Sequence, residues 1–169
     1  LSTGMSTISE IDKAVSLLLK NNVKDIALLH CISIYPPLYE DINLNNIVML
    51  RQTFGLPVGF SDHTIGTSIP LASIALGSCI IEKHFTIDNS LEGPDHFYAL
   101  NPIQFKKMSL TIKRVNKMLG SYNKKPLKNE LKFCRRDSLF LNKNLKKIQK
   151  SNLKILVLNN RKLEFPQNI

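Results

Sequence analysis

Three phrases decide the reading of this chain: Pro57-Val-Gly-Phe-Ser-Asp-His-Thr64, then Glu82-Lys-His-Phe-Thr86, then Gly93-Pro-Asp-His96. Each of the first two closes a run of apolar residues with polar, ionisable ones. A buried parallel strand reads this way when it delivers functional side chains at its C-terminal end. Between them, Gly66 to Gly77 is small, apolar and long enough for a short helix, which predicts a strand-helix-strand unit. A right-handed crossover sets two such strands side by side with their C-terminal ends at one face. His63 and His84 are therefore expected to face a common space. Two imidazoles so placed can bind a divalent metal, with Asp95, Glu82 or Asp62 near enough to ligate or orient them. A single histidine at a strand end is usually a hydrogen-bonded structural residue. Two in matching contexts, each followed by Thr within two positions, favour the metal. Hard oxygen ligands together with histidine point to manganese, magnesium or zinc.

Strand alternation sorts the neighbours. If His84 points inward, Glu82 does too, as an orienter of the ligand, and Lys83 points outward against the helices. Ser61 precedes Asp62-His63 at a strand end, where a hydroxyl and free backbone N–H groups can hold a phosphate.

Working outward, Leu1 to Met5 reads as the end of a strand entering a Gly-containing loop. Thr7-x-x-Glu10 is a capping box, and Ile11, Ala14, Val15 and Leu18 follow at helical spacing before Asn21-Asn22 breaks the helix. Ile26 to His30 is a second buried strand, and Cys31 to Tyr39 a loop stiffened by Pro36-Pro37. A helix over Ile42 to Phe54 presents Ile47, Leu50 and Phe54 on one face, and strands at 57–61 and 79–84 come next. Pro102 opens a final long helix with Phe105, Met108, Ile112, Val115 and Leu119 inward, and Lys106, Lys107, Lys113, Arg114 and Lys117 outward. Gly120 closes it. Strands alternating with helices in this order predict an α/β fold with four parallel strands over residues 1–119.

The 169 residues suffice for one domain with a substantial core, and no apolar run approaches the ~20 residues that span a bilayer. No basic leader opens the chain, so no signal peptide is expected. Cys31, Cys79 and Cys134 are odd in number and widely spaced, which predicts buried free thiols in a reducing cytoplasm. The net charge of +10 is unevenly spread. Residues 1–100 carry 5 Lys or Arg against 10 Asp or Glu, and residues 101–169 carry 18 against 3. The basic tail raises a nucleic-acid-binding module as a minor alternative, but its lysines alternate with Asn and Leu and have no aromatic platform or zinc pattern.

The three phrases resemble the signature phrases of the sialic acid synthases, as do Leu1-Ser-Thr-Gly-Met5 and Leu28-Leu-His-Cys31 with Tyr35-Pro36, in the same order and spacing over about residues 1 to 140. The resemblance implies the C-terminal half, the last four βα units, of a (β/α)8 TIM barrel. Residues 1–120 would be that half-barrel, 121–138 a linker, and 139–169 the start of a degenerate antifreeze-like domain, entered through Arg135-Arg-Asp-Ser-Leu139. The chain opens without Met inside a strand-like phrase, so a fragment is expected, inactive in isolation. The implied activity is condensation of phosphoenolpyruvate with an N-acylated amino sugar, N-acetylmannosamine or similar, to a nonulosonic acid with release of phosphate. The implied cofactor is a divalent metal on His63 and His84, Mn2+ or Mg2+, beside Glu82. Ser2 and Ser61 would contact the phosphate, Ser33 and Tyr35 would line the site, and Asp95 would bind the sugar hydroxyls. A homodimer is implied for the full-length form, in the cytoplasm.

Four departures accompany the match. Ser33 stands where the family commonly has Asn, Ala99 where it usually has Ser, Asp137 is inserted in an Arg-Arg-Ser-Leu phrase, and Leu158-Asn-Asn160 stands where an Arg-Pro-Gly turn belongs. A legionaminic or pseudaminic acid synthase of the same family, or a non-catalytic remnant, therefore stands beside the sialic acid reading.

Overall fold

The computed structural model describes residues Leu1–Cys134. The phrase Arg135–Leu139, the stretch up to Pro166 and the Leu158–Asn160 departure lie outside the described residues. The chain divides into two units, Leu1–Ser121 and Tyr122–Ile169.

In the first unit the order is α1 (Ile8–Lys20), β1 (Leu28–Cys31), a 3-10 turn (Tyr39–Asp41), α2 (Asn45–Phe54), β2 (Val58–Asp62), α3 (Ser68–Ala75), β3 (Ile81–Lys83) and α4 (Pro102–Leu119). The strands form one parallel sheet in sequence order, β1-β2-β3. The fourth strand expected at Leu1–Met5 reduces to a single parallel bridge between Ser2 and Leu29. Two ladder bonds join this segment to β1, from Leu29 N–H to the Leu1 carbonyl and from Thr3 N–H to the Leu29 carbonyl.

Helix starts follow their caps. Thr7 and Glu10 form the reciprocal box, with the Thr7 N–H donating to Glu10 Oε2 at 2.8 Å. Asn101 and Gln104 form a second box just ahead of Pro102. α2 begins three residues later than periodicity predicts, because Asn43 takes a positive φ of 46° that no helix accommodates. It stops at Gly55, whose φ of 65° is the left-handed cap conformation that glycine adopts without a Cβ penalty.

The core lies between the sheet and α1 and α2. Leu28, Val58 and Phe60 alternate onto the helix side, against Ile11, Val15, Ile47 and Leu50. Each such side chain contributes about 1.5–3 kcal/mol through burial. On α4, Met108 is buried and Phe105, Ile112 and Val115 are half-buried, whereas Leu119, expected inward, is 47% exposed at the helix's last residue. Of the cysteines, Cys31 is buried, but Cys79 and Cys134 are exposed, contrary to the expectation of buried thiols. Cys79 falls two residues before β3, outside the covered sheet. Among the described residues no helix is long and apolar enough to cross a membrane. In the second unit the lysine-rich linker candidate contains a short helix, α5 (Lys128–Phe133).

His30 sits in this core, 4% exposed, and its Nε2–H donates to the Ile42 carbonyl at 2.7 Å. Burial lowers its pKa below 6.5, and the hydrogen bond offsets this only in part. The folded chain therefore refuses a proton that the unfolded chain accepts, so stability present above pH 6.5 is lost as pH falls below it. Urea midpoints should drop between about pH 7 and pH 5, and His30→Gln should flatten that slope. His63, also depressed by burial, accounts for the remainder. An undiminished slope in His30→Gln would refute the assignment.

Candidate active site

The last rung of the β2-β3 ladder pairs Asp62 with Lys83, so His63 and His84 stand one residue beyond it on neighbouring strands. Parallel neighbours are ~4.8 Å apart and residues in register share a face. The two imidazoles accordingly meet edge to face, ring centres 5.2 Å apart. One register earlier on that face, the Ser61 hydroxyl donates to Glu82 Oε1 at 2.6 Å. Tyr35, from the loop after β1, covers the pair: its ring lies 4.2 Å from His63 and 5.9 Å from His84. The Tyr35–Pro36 peptide is cis.

Each imidazole is held through Nδ1. His63 Nδ1 lies 2.9 Å from the Ile32 carbonyl, which can only accept, so Nδ1 carries the proton and Nε2 a free lone pair. Burial depresses the His63 pKa, the Ile32 carbonyl opposes that, and the neighbouring His84 adds to the depression. His84 Nδ1 lies 3.1 Å from the Tyr98 hydroxyl, which in turn donates to Asp95 Oδ1 at 2.8 Å. Asp95 Oδ2 is 3.6 Å from the same His84 nitrogen.

The structure thus brings His63, His84, Glu82, Ser61, Tyr35 and Asp95 into one contiguous group. Ser33 is exposed in the loop two residues before Tyr35, its Oγ so close to Gly4 that a Cβ there would collide with it. Ser2 is exposed where the first segment bridges Leu29. Neither serine joins the histidine pair.

Two sequence expectations are corrected. Glu82 shares the face of His84 but does not orient it: its register partner is Ser61, and the carboxylate reaches across the sheet to that hydroxyl instead. Asp62 is not on the face of the imidazoles. It points to the opposite face, where Oδ2 meets Lys83 Nζ at 2.6 Å, with side chains 0% and 1% exposed. Lys83 also donates to the Thr64 carbonyl, and Asp62 Oδ1 accepts the Thr64 N–H at 2.9 Å. Sequence reading misses Tyr98 altogether. Its only signal is the Asp95-to-Tyr98 spacing of three, which in a helical turn puts both on one side. The Ala99 N–H donating to the Asp95 carbonyl closes that turn.

Nearby, the loop from Thr86 to Ala99 is braced internally. Thr86 Oγ1 lies 2.8 Å from His96 Nδ1, and Asn89 Nδ2 donates to the His96 and Ala99 carbonyls at 2.8 Å each. This fixes the segment that carries Asp95 and Tyr98 relative to β3.

The chain is 51% identical over 149 residues to an uncharacterized protein of Methanocaldococcus jannaschii, covering 87% of this chain and 44% of that one. It is 44% identical over 151 residues to the N,N'-diacetyllegionaminic acid synthase of Campylobacter jejuni, covering 87% and 45%. Its fold superposes on the crystal structure of the N-acetylneuraminic acid synthetase of Leptospira borgpetersenii with a TM-score of 0.72 at 39% identity, covering 78% of this chain and 46% of the other. The chain thus spans less than half the length of each of these relatives. Residues 1–124 match the NeuB family, and the chain belongs to it.

Proposed function

We propose that this chain carries part of the active site of a nonulosonic acid synthase, an enzyme that joins phosphoenolpyruvate to an N-acylated amino sugar. The observation that carries the reading is the convergence of His63 and His84, each held through Nδ1, at adjacent strand ends. In this reading the sheet is the last part of a (β/α)8 barrel, and the site lies at the C-terminal face where barrels place their chemistry. The parallel strands in sequence order, each joined to the next through a helix, support it.

The donor set fits a divalent cation. Both rings lie side by side at the strand ends and each is oriented through Nδ1, as metal-binding histidines are oriented through one nitrogen. Among the described residues no group of three or more His, Cys, Asp or Glu could hold a metal, so His63 and His84 would be this segment's whole contribution of ligands. A bound Mn2+ or Mg2+ would supply a Lewis acid for the sugar aldehyde.

The chain's own groups do the rest. Asp95, half-exposed beside His84, would accept hydrogen bonds from sugar hydroxyls. Tyr35 would close the pocket over the rings. Ser61 could turn its hydroxyl from Glu82 to a phosphate oxygen. The third carbon of phosphoenolpyruvate forms a bond to the aldehyde carbon, water adds at the second carbon, and phosphate leaves with the bridging oxygen. Loss of that phosphate makes the condensation irreversible and gives the assay its readout.

The test replaces the matching segment of the Campylobacter jejuni synthase with residues 1–124. Phosphate release is then followed with phosphoenolpyruvate, Mn2+, and either N-acetylmannosamine or a diacetamido hexose. Turnover with one of these sugars is expected, and the preferred sugar names the product. The 169-residue chain alone is expected to release none. A folded chimera inactive on every sugar would sink the proposal.

A further inference from the structure

Tyr98 is 2% exposed and touches two groups with distinct proposed tasks, the His84 imidazole and the Asp95 carboxylate. A phenol has one proton to give. Asp95 lies at 2.8 Å and can only accept when ionised, whereas His84 Nδ1 at 3.1 Å can donate or accept. The proton therefore goes to the carboxylate, and the phenol oxygen is left to accept from Nδ1–H.

We propose that Tyr98 is a positioning residue that holds His84 in the Nδ1–H form, keeping Nε2 open to a divalent cation, and ties the carboxylate at Asp95 to that imidazole. The inference rests on the metal reading above for its purpose, though not for its geometry. His63 needs no such device, since a backbone carbonyl sets its tautomer. His84 lacks one, and a side chain from fifteen residues beyond β3 supplies the equivalent. The arrangement also makes one ligand responsive to whatever occupies Asp95. A sugar hydroxyl donating to that carboxylate competes with the tyrosine for it.

The experiment is long-range nitrogen–proton correlation on the 15N-labelled, metal-free chain at about pH 8, above the ordinary histidine range. His84 should be protonated at Nδ1. In Tyr98→Phe the ring loses its acceptor and should revert to the Nε2–H form that a free imidazole prefers. In Asp95→Ala the tyrosine proton is released toward Nδ1, and His84 should again become Nε2–H, although its tyrosine is intact. A purely structural tyrosine predicts no change of tautomer in Tyr98→Phe. Asp95 is half-exposed, so Asp95→Ala also serves if Tyr98→Phe disturbs the fold. His63 should stay Nδ1–H throughout as the internal control. His84 protonated at Nε2 in the unmodified chain, or unmoved in both variants, would overturn the proposal.

Addition of Mn2+ separates the two readings. Both rings should broaden in the unmodified chain, and Tyr98→Phe should need about 10- to 100-fold more metal. If Mn2+ broadens neither ring in the unmodified chain, the metal reading falls, while the tautomers still decide the role of Tyr98.

Discussion

Replacing Lys83 by Met should cost the chain about 3–5 kcal/mol of stability, the largest effect expected from any single substitution behind the site. The Asp62 carboxylate is 0% exposed, and without the ammonium it is left as a buried charge whose one remaining hydrogen-bond donor among the described residues is the Thr64 N–H. Asp62→Leu should cost a similar amount from the other side, since Lys83 Nζ keeps only the Thr64 carbonyl. The double variant Asp62→Leu/Lys83→Met should recover most of the loss, because an apolar pair of similar volume removes both desolvation penalties. Denaturant midpoints of the three variants measure this directly. A single variant that loses under about 1 kcal/mol would mean that the pair is hydrated and contributes as a surface bridge does. The pair also has a geometric consequence. It clamps β2 to β3 at the rung before both imidazoles, so the double variant, though stable, should show a looser His63–His84 pair.

How far the sequence is legible depends on which force sets each feature. The strand ends are legible because burial imposes a period of two: once His84 is placed inward, Glu82 must share its face and Lys83 must oppose it. The capping box at Thr7 is legible because its two hydrogen bonds are local. Contacts across the sheet are not. Ser61 takes Glu82 away from His84 only because the register pairs them, and register is absent from either strand alone. Asp62 looks like a ligand beside His63 until Lys83, twenty-one residues away in sequence, is brought against it. Tyr98 hides for another reason. Its phrase draws attention to Asp95 through the Gly-Pro turn, and a tyrosine among apolar residues reads as packing. Only the closed turn turns its hydroxyl toward both partners. The first segment shows only as the Ser2–Leu29 bridge.

His63→Ala and His84→Ala, placed in the chimera, should each lower turnover on the order of 1,000-fold, the rate equivalent of roughly 4 kcal/mol of lost charge stabilisation. The loss should fall on kcat, because these rings are proposed to hold the group that acts on the aldehyde, while Asp95 and Tyr35 still bind the sugar. Raising the sugar concentration should therefore not restore the rate. The double variant should be scarcely worse than either single one, since two ligands of one ion act as a unit. Direct Mn2+ titration of the 169-residue chain should show the same pattern, with affinity lowered by at least about 100-fold in each variant. His30→Gln is the matched control. That imidazole is spent on the Ile42 carbonyl on the helix side of the sheet, so turnover and Mn2+ affinity should stay at the parental level. Glu82→Gln tests the corrected role of the carboxylate. A partner of Ser61 should leave Mn2+ affinity intact and alter phosphoenolpyruvate binding, whereas an orienter of His84 would do the reverse. Parental turnover in either histidine variant after chelation would remove the metal from the mechanism. It would leave the imidazole pair as a stacked, structural cap on the end of the sheet.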